Sequence, residues 1–90
     1  MKISRLGLVA NARKKEIRDV VKEVLGLVPG GVAVCGLEET VKLAPAGAVR
    51  RVETLSGCDA VLALGGDGTL LMAARMVADE EIPLLGIKIR

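Results

Sequence analysis

The sequence predicts an α/β fold, a small three-layer Rossmann-like unit on a parallel sheet of about four strands. Three observations lead there. Apolar runs at residues 3–10, 32–35, 60–64 and 84–89 read as strands covered on both faces. Between the first two runs, and again between the last two, apolar residues return at helical spacing. Strands that alternate with helices require right-handed crossovers onto parallel neighbours.

Each element has its own warrant. Residues 3–10 are broken only by Ser4, Arg5 and Gly7, and Asn11 ends the run. Residues 14–25 place Ile17, Val20, Val21, Val24 and Leu25 on one stripe, with Lys15, Arg18, Asp19, Lys22 and Glu23 on the other side, and Gly26 reads as the stop. Pro29, Gly30 and Gly31 make a turn into the second strand. The stretch 36–57 has mixed periodicity, interrupted by Pro45 and Gly47, and a short helix over 48–55 is the expectation, with Val49, Val52 and Leu55 on one side. Ala60-Val61-Leu62-Ala63-Leu64 reads as a buried central strand running straight into Gly65-Gly66. A helix over about 69–78 follows, closed by Asp79, Glu80, Glu81 and Pro83, and the fourth strand runs over 84–89.

Composition excludes several functions. Ninety residues with 51% hydrophobic and 27% charged residues are expected to form one domain, 1–90, with no second core. A net charge of +2 and the absence of Phe, Tyr and Trp argue against a nucleic-acid binder, which needs a basic surface or stacking platforms. With no His, an imidazole base and the Ser-His and Cys-His nucleophiles are excluded. Cys35 and Cys58 are too few for a closed zinc site and too far apart in sequence for a C-x-x-C motif, so two reduced, buried thiols are expected. No apolar run reaches the ~20 residues of a membrane span, and Lys2 and Arg5 interrupt any signal-peptide core. A cytoplasmic chain without a membrane partner is the reading.

The residues that carry chemistry are Gly65-Gly66-Asp67-Gly68-Thr69, between a buried strand and a helix. In an open parallel sheet, ligands bind beyond the carboxyl ends of the strands. Three glycines let backbone amides approach a phosphate, and the helix adds its positive end. Asp67 puts a negative charge in the same place, which suits either a proton acceptor for an attacking hydroxyl or a metal bridge to the phosphates. The alternative is a plain helix cap by Asp67 or Thr69. The run is neither a P-loop, which needs Lys before the Ser or Thr, nor the dinucleotide fingerprint, which needs Gly where Leu71 stands.

Residues 58–71, Cys58-Asp59-Ala60-Val61-Leu62-Ala63-Leu64-Gly65-Gly66-Asp67-Gly68-Thr69-Leu70-Leu71, resemble the signature of the NAD kinase family. Ala73-Ala74-Arg75 resembles the helix that follows it there, and Ile82-Pro83-Leu84-Leu85-Gly86-Ile87 the next strand. The first strand, ending at Asn11 with a basic residue soon after, resembles the family's first βα turn. The pentapeptide is shared with diacylglycerol and sphingosine kinases, but Leu70-Leu71-Met72 is nearer the NAD kinases than the Asn-Glu of the lipid kinases. The resemblance implies transfer of the ATP γ-phosphoryl group to the 2′-hydroxyl of NAD, with Mg²⁺. It makes Asp67 the catalytic proton acceptor and places Gly65, Gly66, Gly68, Thr69, Asn11 and Arg13 around the phosphates and nucleotide.

The family's members are longer and carry a second, β-rich domain with an Asn-Glu or Asn-Asp motif. Here Met72 stands where a basic residue is common, and Lys88 and Arg90 replace the Asn and Gly of the family's strand. The expectation is therefore an isolated N-terminal nucleotide-binding domain with weak turnover or none. The alternative is a ligand-free scaffold, natural or engineered, that forms homodimers through the edge of its C-terminal strand.

Overall fold

The computed structural model describes residues 2–89. Eight elements follow in chain order: β1 (Arg5–Ala10), α1 (Ile17–Leu27), β2 (Ala33–Gly36), α2 (Glu38–Val41), β3 (Arg50–Arg51), β4 (Ala60–Gly65), α3 (Asp67–Met76) and β5 (Leu84–Lys88). They build one parallel five-stranded sheet in the order β3-β2-β1-β4-β5. Connections move outward in one direction from β1 and in the other from β4. Because parallel crossovers are right-handed, this reversal puts the covering segments on opposite faces.

Packing bears that out. Leu8 and Ala10 of β1 and Leu64 of β4 meet Ile17 and Val21 of α1 and, from the segment around α2, Leu43 and Val49. The other side chains of the same strands, Val9, Val61 and Ala63, meet Ala73 and Val77 near α3 together with Leu55 and Cys58. Burying Leu8, Leu55 and Leu64, all nearly inaccessible, stabilises the fold by roughly 1.5–3 kcal/mol each. Gly7 permits the second cluster, since a Cβ there would lie 3.1–3.2 Å from Val61, Cys58 and Leu55. The backbone turns into β4 beside Asp59, whose carboxylate accepts hydrogen bonds from the Ser4 and Arg5 amides at 2.8 and 2.9 Å.

Three local readings are corrected. Residues 48–55 form no helix: Arg50–Arg51 pair with Cys35 and Gly36 as β3, a short fifth strand at the edge of the sheet. The apolar stripe of Val49, Val52 and Leu55 belongs instead to a chain that passes from one face of the sheet to the other, with Val49 in the first cluster and Val52 and Leu55 in the second. Helix α1 starts at Ile17 and runs through Gly26 to Leu27. Its stop is set by Pro29, because the residue before a proline is driven extended, and Val28 has ψ 127°. Helix α3 begins at Asp67 and ends at Met76, earlier than the apolar spacing suggested at both ends. Cys35 and Cys58 are free and buried. Among the described residues no helix is long and apolar enough to cross a membrane.

Candidate functional site

The strand order reverses between β1 and β4, so their carboxyl ends diverge into separate turns and leave a crevice. Asn11 leaves β1 there, its amide donating to the Leu64 carbonyl of β4 at 3.0 Å. The Asn11 side chain then shapes its own turn: Oδ1 accepts from the Arg13 amide at 3.0 Å, and the Asn11 carbonyl accepts from the Lys14 amide at 3.1 Å. Asn11 therefore fixes the backbone from which Arg13 and Lys14 project.

On the other wall, β4 passes into α3 without a cap from any side chain. Gly66 is the N-cap residue, and the Leu70 amide returns to its carbonyl at 3.2 Å. The amides of the first helical turn have no intrahelical acceptor, so they and the helix dipole favour an anion. Thr69 is only 6% exposed, and its hydroxyl folds over Gly65 into the space a Cβ would take. Between the two walls is an open cleft of ≈ 690 Å³, bordered by Asn11, Arg13, Gly68 and Thr69 with Glu39 and Met72.

Asp67 opens α3 but faces the β5 side of the loop. It borders a small hollow of ≈ 60 Å³ with Gly65, Gly66 and Lys88. Lys88 Nζ lies 3.9 Å from Asp67 Oδ1, and both side chains are largely exposed, at 67% and 92%. Strand β5 is held against this loop, the Ile89 amide donating to the Gly65 carbonyl at 2.7 Å. A Cβ at Gly66 would lie 4.0 Å from Lys14 Nζ. The loop is thus approached by a lysine from each side, one carried by the first βα turn and one by the edge strand.

All seven residues singled out from the sequence converge on this end of the sheet. Asn11, Arg13, Gly68 and Thr69 share the main cleft, whereas Gly65, Gly66 and Asp67 line the adjoining hollow. Neither Asp67 nor Thr69 caps α3 through a side-chain hydrogen bond. Arg50 and Arg51 lie away on the far edge strand and are exposed, with Arg51 3.6 Å from Glu53. Met76 packs against the second cluster, while Met72 is exposed on the cleft wall.

Sequence reasoning missed the third wall, formed by Leu37, Glu39 and Thr40. Buried Thr40 accepts a hydrogen bond from the Ala10 amide at 3.3 Å, tying α2 to the end of β1. The only signal was Gly36, where a Cβ would meet Thr40 and Val49 at 3.1 Å, and a lone glycine in an unclear stretch does not announce a close approach.

The profile of the ATP-NAD kinase N-terminal domain matches residues 33–89, which include β4, the glycine loop, α3 and β5. An NAD kinase of Nitrosococcus oceani is 40% identical over 93% of this chain, and one of Moorella thermoacetica is 37% identical over 97%. An NAD kinase of Acidithiobacillus ferrooxidans is 60% identical over a shorter stretch, 39% of this chain. The chain spans about 30% of the length of the first two of these relatives.

Proposed function

The chain belongs to the NAD kinase family, and from that premise we propose that residues 1–90 are its N-terminal nucleotide-binding domain. The activity served is transfer of the γ-phosphoryl group of ATP to the 2′-hydroxyl of NAD. The observation that carries this reading is the loop of residues 65–69, which leaves a buried central strand at the switch point and opens a helix with uncapped amides. Gly66, Gly68 and Thr69 offer backbone amides to phosphate oxygens, with Gly65 giving the hydroxyl of Thr69 its room. Asn11 and Arg13 approach from the opposite wall.

Asp67 is the acceptor for the proton of the attacking hydroxyl. The new bond joins the ribose 2′-oxygen to the γ-phosphorus, the bond from that phosphorus to the β-phosphate oxygen breaks, and ADP leaves. Lys88 and Lys14 offset the charge that Asp67 adds beside the phosphates. Mg²⁺, when bound, neutralises phosphate charge. Its usual sites take one or two carboxylates plus phosphates and water, a requirement that Asp67 alone can meet from this loop. Among the described residues there is no cluster of three acidic or sulfur ligands for a self-contained metal site.

These ninety residues alone are expected to bind nucleotide and turn over little or nothing. Positioning of two substrates can account for ≈ 7–11 kcal/mol of a barrier, and one open cleft does not position both. An amide-resolved NMR titration with Mg-ATP and then NAD tests this. Localised shifts at residues 65–69 and at Asn11 and Arg13, weakened by Asp67→Ala, are expected. A dispersed spectrum with no movement there at millimolar nucleotide would overturn the reading.

A second reading has one observation in its favour. Strand β5 is an open edge, and Leu85 and Ile87 on it are 60% and 37% exposed. On that reading the chain pairs with a second copy through β5. Sedimentation at high concentration showing only monomer would dispose of it.

A further inference from the structure

Beside the main cleft, and sharing Ala12 and Glu39 with its wall, lies a second depression of ≈ 370 Å³. Lys14, Lys15, Arg18 and Lys42 border it, against one carboxylate, Glu39. Among the described residues none of these four cations lies within ion-pair distance of an acid, since the two ion pairs there are Arg51–Glu53 and Lys88–Asp67. Four cations held round one hollow repel each other, and an anion relieves that cost. The hollow is also partly preorganised. Arg18 Nη1 donates to the Lys42 carbonyl at 3.0 Å, which ties α1 to the end of α2 and fixes the guanidinium between them. Helix α1 begins at this spot with no side-chain cap; the Ile17 amide is taken by the Lys14 carbonyl at 3.2 Å, and the remaining first-turn amides add to the positive potential, which Asp19 in the same turn reduces.

Lys14 connects the two places. It borders the depression, and its Nζ lies 4.0 Å from the Cβ position at Gly66, over the glycine loop. We infer that the depression is an anion subsite for the outer phosphate of a diphosphate or longer chain whose inner phosphate rests on residues 66–69. Lys14 bridges the two phosphates, and Lys15, Arg18 and Lys42 hold the outer one. The inference rests on the reading of residues 65–69 as a phosphate loop, and it adds a preference: the site takes a diphosphate over a monophosphate.

The test compares inorganic phosphate with inorganic pyrophosphate on the full chain by amide-resolved NMR. Pyrophosphate is expected to move the amides of Gly66, Gly68 and Thr69 together with those of Lys15, Arg18 and Lys42, and to bind at least about tenfold more tightly than phosphate. Lys15→Gln combined with Lys42→Gln, two exposed positions whose side chains hold no structural hydrogen bond among the described residues, should bring the pyrophosphate affinity down towards that of phosphate. The shifts at the glycine loop should remain. Equal affinity for the two anions, or a double variant that binds pyrophosphate as the parent does, overturns the subsite. Shifts confined to the glycine loop do the same while sparing the phosphate-loop reading. Shifts at Lys15, Arg18 and Lys42 with a silent glycine loop would support an anion site in the depression and defeat that reading instead.

Discussion

The two ends of the sheet use the same residue types in opposite ways. At the amino ends of β1 and β4, Asp59 accepts hydrogen bonds from the Ser4 and Arg5 amides, and Arg5 Nε donates to Cys35 Sγ at 3.4 Å. Close by, Glu80 Oε1 accepts from the Ser56 hydroxyl at 3.1 Å and the Gly57 amide at 3.2 Å. At the carboxyl ends, Asp67 has only an exposed lysine 3.9 Å away, and Lys14 and Arg13 use their amides but not their charges in the turn. An aspartate with two amide donors joins strands. An aspartate beside a glycine loop without such donors is, on the function proposed above, the one left for a ligand. What separates structure from function in this molecule is therefore the partner of the polar group, and not its type.

The sharpest break in that comparison comes from glycine on either end. A Cβ at Gly65 would overlap the Thr69 hydroxyl and stand 2.9 Å from Thr69 Cβ and 3.1 Å from Asn11 Cβ. Gly65→Ala is expected to cost about 1–3 kcal/mol of stability, as overpacking does, and to abolish the nucleotide response of residues 66–69. Both effects are read from a urea midpoint and an NMR titration on the same variant. Gly7→Ala crowds Val61, Cys58 and Leu55 at 3.1–3.2 Å, where side chains can give by a few tenths of an ångström. Its expected cost is about 1 kcal/mol, with the nucleotide response intact. If Gly7→Ala silenced the loop as well, the two ends would not be separable.

Acid should act mainly on the structural end. The Ser4 amide, and next the Arg5 amide, hold the Asp59 carboxyl below its ordinary value. A depressed folded pKa contributes stability above the unfolded value of about 3.9, and that contribution is lost as pH falls through the folded value. Below about pH 4 the parent chain should therefore lose stability more steeply than Asp59→Asn. Urea midpoints followed across that range measure the difference, and parallel curves would show that Asp59 holds nothing. At the same end, burial pushes the Cys58 thiol up, away from the reactive thiolate.

Much of the fold was legible because periodicity is a local property. Ala60-Val61-Leu62-Ala63-Leu64 reads as a central strand and the stripe from Ile17 to Leu25 as a helix facing a core, and both stand so in the fold. The candidate site was legible where it lay in one contiguous run, residues 65–69, and in the turn at Asn11 that the parallel topology places opposite. Residues 36–57 were not legible, because their order is imposed from outside. β3 is two residues long and exists through its pairing with Cys35 and Gly36, and α2 is a single turn anchored by Thr40 on the Ala10 amide. Neither has enough length for a period to show. Lys14 and Lys88 flank the glycine loop from remote parts of the chain, a relation set by the order of the parallel strands.

The smallest effect on stability belongs to Lys88→Ala, and it tests the functional end alone. An ion pair at 3.9 Å between side chains 67% and 92% exposed is screened by water. Removing it should leave the unfolding free energy within about 0.5 kcal/mol of the parent. Binding is a different matter, because a phosphate brought onto residues 66–69 meets Asp67 with or without a neighbouring positive charge. Where Lys88 offsets that carboxylate, its loss should weaken Mg-ATP severalfold, more at low salt than at high, with an unchanged urea midpoint. Should nucleotide affinity stay put while the midpoint falls, Lys88 would be a strut for β5, and the carboxyl end would hold its charges together for the sake of the fold, as the amino end does.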